Sequence, residues 1–451
     1  MLIVEKSTYR KPGRAVARRL TQWLVAVVMI ASAAMADAQV IGLYYQETEK
    51  DGRIYVFNTP ERFKMWQASG EIGTSVTLIG RGPNGETLVG ENETAIDLFL
   101  FRHELPAYDR PTPKPTPTPV VFPQVKVGGL AYISYQDGTS GGKDYAKTVL
   151  KRGYLNVDAK ILPYLSARIT PDVTQDSTGD WKVRLKYLYG KFDLGTASLL
   201  NKNYVEFGLA HMPWLDFEEH INLFRLQDTM FMERNGLFNS ADVGVMWGAN
   251  LGADLPDDYM KKVNKAYAGR WGSVQVGVYD GGGYHATEAN TSKVVECRIT
   301  VRPLPDVLPG FQVTYFGISG KGNTAAEPDW TSNTGLLSYE SEHAVVTGQY
   351  VDGKGDQGGK AVDAAGKALP RKGWSGYVEG RLTPAWSVIG RYDEFDPNSD
   401  AANDKSQRRI LGVAYKFNSS NMLLLDYDEV KYDQAGKPKD KRAQITLQLS
   451  F

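Results

Sequence analysis

The sequence predicts an all-β protein: a transmembrane antiparallel β-barrel of about sixteen strands, preceded by a small periplasmic α+β module. Three observations carry this. The last segment alternates without a break, with Ala443, Ile445, Leu447, Leu449 and Phe451 on one face and Gln444, Thr446, Gln448 and Ser450 on the other. Such a strand has one face in oil and one in water. The N-terminus has the charge and hydropathy of an export signal. Between the two, alternating segments follow one another through connections that are short and long in turn.

Residues 1–22 are rich in base, with Lys6, Arg10, Lys11, Arg14, Arg18 and Arg19. An apolar run from Trp23 to about Ala34 follows, then small residues that permit cleavage after Ala38. This is a secretory signal peptide over 1–38, too short and wrongly flanked for a membrane anchor. Beyond Ala38 no stretch approaches the roughly 18 consecutive apolar residues of a spanning helix. Lys and Arg together number 52, as do Asp and Glu, so the formal net charge is zero and nothing points to nucleic acid. The single Cys297 excludes an intrachain disulfide.

Residues 39–109 read as a separate module. Ile54–Phe57 forms a strand, and Thr59 and Pro60 open a short helix as N-cap and first residue. Strands over 75–80 and 95–100 follow, with Gly82-Pro83-Asn84-Gly85 as a turn. Peptidoglycan or a periplasmic partner is a contact open to this module, as is a plug or collar role. Residues 110–123 alternate Pro with Thr and Lys and form an extended linker.

From Gln124 to Phe451 the chain is one β-domain. Candidate strands are 124–135, 150–160, 164–173, 181–194, 203–211, 241–251, 271–280, 293–301, 310–319, 334–340, 343–352, 373–382, 385–394, 407–417, 421–432 and 441–451. The first runs outward from the periplasm. Periplasmic turns then include Ile161-Leu162-Pro163, Thr383-Pro384 and Asn418-Ser419-Ser420. Outer loops cover 136–149, 212–240, 281–292, 320–333, 353–372, 395–406 and 433–440. The 252–270 connection is long on the short side, so either it hides strand ends or the strand count is off by two there.

Alternation assigns faces. Val295, Cys297, Ile299 and Val301 oppose Glu296, Arg298 and Thr300; Leu411, Val413, Tyr415 and Phe417 oppose Gly412, Ala414 and Lys416. A charge on the lipid side at mid-membrane costs ~2–4 kcal/mol, so the charged set faces inward. The predicted pore-lining residues are Arg152, Arg168, Arg184, Lys186, Arg298, Arg302, Arg381, Arg391, Lys416, Glu296, Glu379 and Asp393, and Lys160, Asp158, Asp172, Glu206, Asp426 and Asp428 are also assigned to the inward face. Tyr187, Tyr189, Tyr415, Tyr427 and Trp386 are assigned to the membrane interfaces. Sixteen strands enclose a water-filled channel, and a slight excess of inward bases favours anions.

The loop at 212–240 is too apolar to lie free in water. It packs into the lumen or against a neighbouring subunit. In the lumen, Asp216, Glu218, Glu219, Arg225, Asp228, Glu233 and Arg234 form the constriction.

Around this loop, Gly208-Leu209-Ala210-His211-Met212-Pro213, Phe231-Met232-Glu233-Arg234 and Ala241-Asp242-Val243-Gly244-Val245-Met246 resemble the phosphate-selective porin O/P family. Gly373-Trp374, Leu382-Thr383-Pro384 and Arg391-Tyr392-Asp393 resemble its closing part. The resemblance spans roughly 124–451. It implies a trimeric, sixteen-stranded diffusion porin for small hydrophilic solutes in the outer membrane of a Gram-negative bacterium. It does not imply phosphate, because the predicted lumen holds nearly as many acids as bases.

Chemistry for an enzyme is not legible. The five His have no metal-ligand spacing with one another or with Cys297, and neither a nucleophile elbow nor a phosphate-binding glycine loop occurs. No metal, cofactor or catalytic residue is expected. A barrel acting as a sheath around an electron-transfer partner, or as an adhesion platform, is the competing expectation.

Overall fold

The computed structural model describes residues 44–108 and 122–451. The predicted signal peptide and the proline-rich stretch at 109–121 lie outside the described residues. The chain divides into two compact units, one up to Thr118 and one from Pro119.

The first unit holds β1 (Gln46–Lys50), β2 (Arg53–Phe57), β3 (Val76–Leu78) and β4 (Thr87–Gly90), in the sheet order β1-β2-β4-β3, with helices α1 (Pro60–Ser69) and α2 (Glu93–Arg102). Thr59 precedes α1 as the sequence predicts, but its hydroxyl donates to Glu91 (2.9 Å) and does not cap the helix. The predicted strand over 95–100 is instead the body of α2. Asn92 Oδ1 accepts from the Ala95 amide (2.9 Å) and caps that helix. Ala95, Ile96, Phe99 and Leu100 then fall on one helical face and pack with Val56 and Leu88. A short continuous apolar run does not distinguish strand from helix by alternation.

The second unit is a closed antiparallel barrel of sixteen strands. They are β5 (Gln124–Ser140), β6 (Lys143–Leu162), β7 (Leu165–Gln175), β8 (Trp181–Ala197), β9 (Leu200–His211), β10 (Ala241–Leu251), β11 (Gly272–Tyr279) and β12 (Val294–Val301). After them come β13 (Phe311–Lys321), β14 (Asp329–Glu340), β15 (Ala344–Lys354), β16 (Pro370–Arg381), β17 (Trp386–Asp396), β18 (Ser406–Lys416), β19 (Met422–Tyr432) and β20 (Asp440–Ser450). β20 pairs with β5 and closes the ring, with Ile445 opposite Tyr135. Closure leaves no open edge for another chain to pair with. No helix among the described residues is long and apolar enough to cross a membrane.

Alternation produces the lipid face directly. On β18, Leu411 is 67% exposed while its neighbour Ile410 is fully buried. Leu425, Tyr415, Tyr427 and Trp386 likewise point outward.

Three expectations are corrected. The 136–149 segment is not a loop: β5 continues to Ser140 and β6 starts at Lys143. The turn between them is Gly141-Gly142, both at positive φ (57° and 78°), as a two-residue hairpin turn requires. Where both faces of a strand are wet, no alternation marks its end. The 252–270 connection does not signal a miscount. It carries a short helix (Asp257–Lys262) and a small apolar cluster of Leu255, Tyr259 and Ala268.

The third correction concerns Tyr187 and Tyr189, which turn inward toward His211, with ring centroids 4.2 and 5.3 Å from it. The cause is a β-bulge. Thr170 pairs with Tyr187 and Pro171 with Leu185, leaving Lys186 as an extra residue. Proline has no N–H to give the ladder, and a bulge accommodates it. One inserted residue reverses the faces of everything after it.

Candidate functional site

The connection from β9 to β10 folds into the barrel. It contains α3 (Leu215–Ile221) and α4 (Phe231–Arg234). Trp214, Phe217, Phe224, Phe231 and Met232 on this loop are buried in one cluster with Phe316, Trp330, Tyr377, Ile389 and Leu424 of the barrel wall. Trp214 stacks on Phe316 at 5.1 Å. Full burial of such side chains stabilises by ~1.5–3 kcal/mol each. The loop is therefore fastened along its apolar edge to β13–β19.

Strand side chains also catch the loop's free backbone carbonyls. Trp330 Nε1 donates to Leu237 O (2.8 Å), Arg298 Nε to Pro213 O (3.0 Å), Arg371 Nη2 to Asn235 O (2.6 Å) and Lys151 Nζ to Leu226 O (2.7 Å). Arg298 is fully buried; it also reaches Gln275 Oε1 (2.8 Å) and Thr300 Oγ1 (2.6 Å), with Phe217 and Tyr267 over its guanidinium.

The other edge of the loop is charged and faces β5–β8 and β18–β20. Arg152 Nη2 donates to Glu219 Oε1 (3.1 Å), which also accepts from Arg225 Nε (2.7 Å); Arg225 Nη2 then reaches Glu233 Oε2 (2.5 Å). Nearer the loop end, Arg442 Nη2 bridges Asp228 (2.7 Å) and Asp428 (2.8 Å), and Arg408 joins Asp428 at 2.9 Å. Burial opposes ionisation of Glu219, yet Arg152 and Arg225 hold its carboxyl down at about 2. Burial likewise opposes Asp216, which His211, His220 and Tyr267 hold at about 2. Glu218 has no such cation in contact; burial pushes it up to about 7, with Trp214 Nε1 its hydrogen-bond donor at 2.8 Å.

Open space follows the charged edge. A chamber of about 270 Å³ is lined by Tyr132, Gln136, Lys151, Arg152, Arg225, Asp228, Thr229 and Arg442. At the turn end lies a vestibule of about 740 Å³ that includes Asp158, Lys160, Arg168, Tyr189, Tyr204, Glu206, His211, Asp216 and Tyr267. A cleft of about 150 Å³ at the loop end includes Tyr145, Asp228, Arg408, Asp428 and Arg442. Tyr145, then Lys151 and Arg152, then Asp158 and Lys160 succeed one another along β6, so the three spaces lie in series down the barrel.

The predicted inward residues separate into two sets. Arg152, Arg168, Arg184 and Lys186 lie on the wall facing the charged edge; Arg168 pairs with Asp158 (2.6 Å) and Arg184 with Asp172 (2.8 Å). Lys186 contacts Ser240 and lies 3.9 Å from the Tyr284 ring centroid. Of the others, Glu296, Arg298, Arg302, Glu379, Arg391 and Asp393 point inward but are covered by protein, whereas Arg381 and Lys416 stay half-buried. Glu296 and Arg298 are fully buried, and Arg391 pairs with Asp393 (2.8 Å), which Arg234 also approaches (3.3 Å). Glu379 gathers Arg381 (3.2 Å) and Lys416 (3.0 Å) near the turn end, and Arg302 donates to Pro309 O.

Lys151, Arg408, Arg442, Tyr132 and Tyr204 escaped sequence reasoning. Lys151 shares the lumen with its neighbour Arg152 because Tyr132 pairs with Arg152 and Ile133 with Leu150, leaving Lys151 as a bulge residue. Among the described residues no group of three or more His, Cys, Asp and Glu side chains is placed to hold a metal ion.

No family model matches the chain, and no curated protein matches it. Solved structures do. The chain is similar to an anion-selective porin from Comamonas acidovorans, at 10% identity over 73% of this chain and 100% of that one, with a TM-score of 0.53. It is also similar to outer-membrane-expressed OmpT of Vibrio cholerae, at 12% identity over 74% of this chain and 99% of that one, with a TM-score of 0.50. At these identities the likeness is one of fold. The chain carries a porin-type, sixteen-stranded antiparallel β-barrel.

Proposed function

We propose that this protein is an outer-membrane porin, a water-filled channel for passive diffusion of small hydrophilic solutes with a weak preference for anions. The observation that carries this reading is the midway chamber, whose lining presents four bases, Lys151, Arg152, Arg225 and Arg442, and the acid Asp228; Glu219, Glu233 and Asp428 pair with those bases from beyond the lining, which keeps the preference weak. Like charges around a passage select solutes of opposite sign. The likeness to an anion-selective porin fits that sign.

The long loops then face outward, the short turns face the periplasm, and residues 39–109 are periplasmic after removal of the signal peptide. The pore-lining set narrows to the side chains along the charged edge, with Asp216, Glu219, Arg225, Asp228 and Glu233 supplied by the loop, while Glu218 and Arg234 turn toward Arg391 and Asp393 of β17. A homotrimer embedded in outer-membrane lipid, and kinship with the phosphate-selective porin O/P family, remain part of this proposal, as does the absence of enzymatic activity. Contact of the periplasmic module with peptidoglycan or a partner is part of the same proposal.

Planar-bilayer recording of the purified, refolded protein tests this. Ohmic steps, with a reversal potential toward chloride across a KCl gradient, are expected. Steps with potassium selectivity would overturn the anion preference. An absence of steps would overturn the porin and favour a sheath or platform.

A further inference from the structure

The two edges of the inward loop are held by forces of different kinds. The apolar edge is dry and packed. The charged edge is made of ion pairs beside open space, with side-chain exposures of 9% and 24% for Arg152 and Glu219 and 16% and 24% for Arg442 and Asp228. Partly exposed pairs are weak and are screened by salt, whereas buried apolar packing is not.

The pairs also stand where the passage must run. Asp228 and Arg442 line both the loop-end cleft and the midway chamber, so their ion pair partitions the two. Arg152 and Arg225 line the chamber and meet through Glu219, on the β6 stretch that leads toward Asp158 and the vestibule. Tyr132 and Tyr154 flank the Arg152 guanidinium, at 5.2 and 4.8 Å, and limit the ways it can swing.

Resting on the porin reading, we propose that these pairs are two side-chain crossbars, Arg442–Asp228 and Arg152–Glu219–Arg225, that gate the passage. They open by rotamer change while the loop backbone stays fixed on its apolar edge. Glu219 and Asp228 are positioning residues: each holds arginines across the lumen, and a solute or counterion that screens them frees the way.

The gate gives conductance a distinctive salt dependence. Fixed charges in a rigid pore concentrate counterions, so conductance at low salt exceeds what bulk conductivity predicts. Ion-pair crossbars do the reverse. The full chain is recorded in planar bilayers from about 0.1 M KCl, where the screening length is ~10 Å, to about 1 M, where it is ~3 Å. Unit conductance is expected to rise more steeply than bulk conductivity. In Glu219→Gln/Asp228→Asn, of nearly unchanged shape, conductance at the low-salt end is expected to rise roughly threefold, within the range that partly exposed ion pairs supply, and the excess slope to vanish. Glu219→Asp, which keeps the charge, is expected to retain the slope and doubles as a control for folding. Wild-type conductance that tracks bulk conductivity, or a double variant that shifts the reversal potential while leaving the slope intact, overturns the gate and leaves the porin standing. Absence of conductance in the wild type overturns both.

Discussion

Trp214 of the inward loop lies against Phe316 of β13, rings tilted by 29° and centroids 5.1 Å apart. Both side chains are fully buried. This contact starts the apolar seam that decides which wall the loop leans on, and so where water is left.

Removing that anchor is expected to free the loop without opening the barrel. Trp214→Ala should destabilise by ~3–5 kcal/mol, as large-to-small changes in cores do. Urea unfolding of the vesicle-reconstituted protein measures the loss. Limited proteolysis should then cut within 212–240. A loop as resistant as the wild type would show that the seam is held elsewhere.

Arg298 ties the same region from below. Arg298→Met keeps bulk but leaves Pro213 O and Gln275 Oε1 without this donor. Each buried polar group stranded in this way costs ~1–3 kcal/mol. Lysine cannot reproduce the fork, so Arg298→Lys should recover only part. Equal stability of all three proteins in urea would refute the assignment.

Lumen charge is expected to depend on pH near neutrality. With its carboxyl near 7, Glu218 is neutral below that value and anionic above it. Anion preference, read as reversal potential, should weaken as pH rises through about 7, and Glu218→Gln should remove the step. The stability term has the same direction. A carboxyl with a raised folded-state pKa binds its proton more tightly when folded, so its contribution is lost as pH rises toward about 7. Glu219 and Asp216, held near 2, work oppositely and lose their contribution as pH falls from the ordinary carboxylate range toward about 2.

The outer face is tested by Leu411→Arg. Leu411 lies at the middle of β18 and points away from the lumen. A guanidinium there faces hydrocarbon and should cost ~2–4 kcal/mol in folding into vesicles, falling toward zero for positions near the strand ends. A cost below about 1 kcal/mol would place this residue outside the bilayer core.

The barrel was legible because its rule is local. Each strand must satisfy lipid on one side and the lumen on the other, and Leu411 beside Gly412 or Ile299 beside Arg298 states that rule within two residues. It fails where an extra residue enters. Pro171 marked such a place, since a proline inside a strand points to a bulge, and heeding it would have turned Tyr187 and Tyr189 inward. It is silent where both faces have the same character. Phe316 and Ile318 face inward although Val313 and Tyr315 already make β13 apolar outside, so alternation gave no hint of a dry seam within the lumen.

What the sequence by itself determined, then, is the barrel, its strand number, its lipid face and an apolar loop needing cover. Those follow from contacts between near neighbours and from the solvent each face must meet. Only the tertiary structure decided which bases face water. Arg298 and Arg152 look alike in their strands, yet one is sealed beneath the loop and the other stands at the passage. That difference depends on which wall the loop's aromatic side chains reach, a matter of shape across the full width of the barrel that no run of adjacent residues encodes.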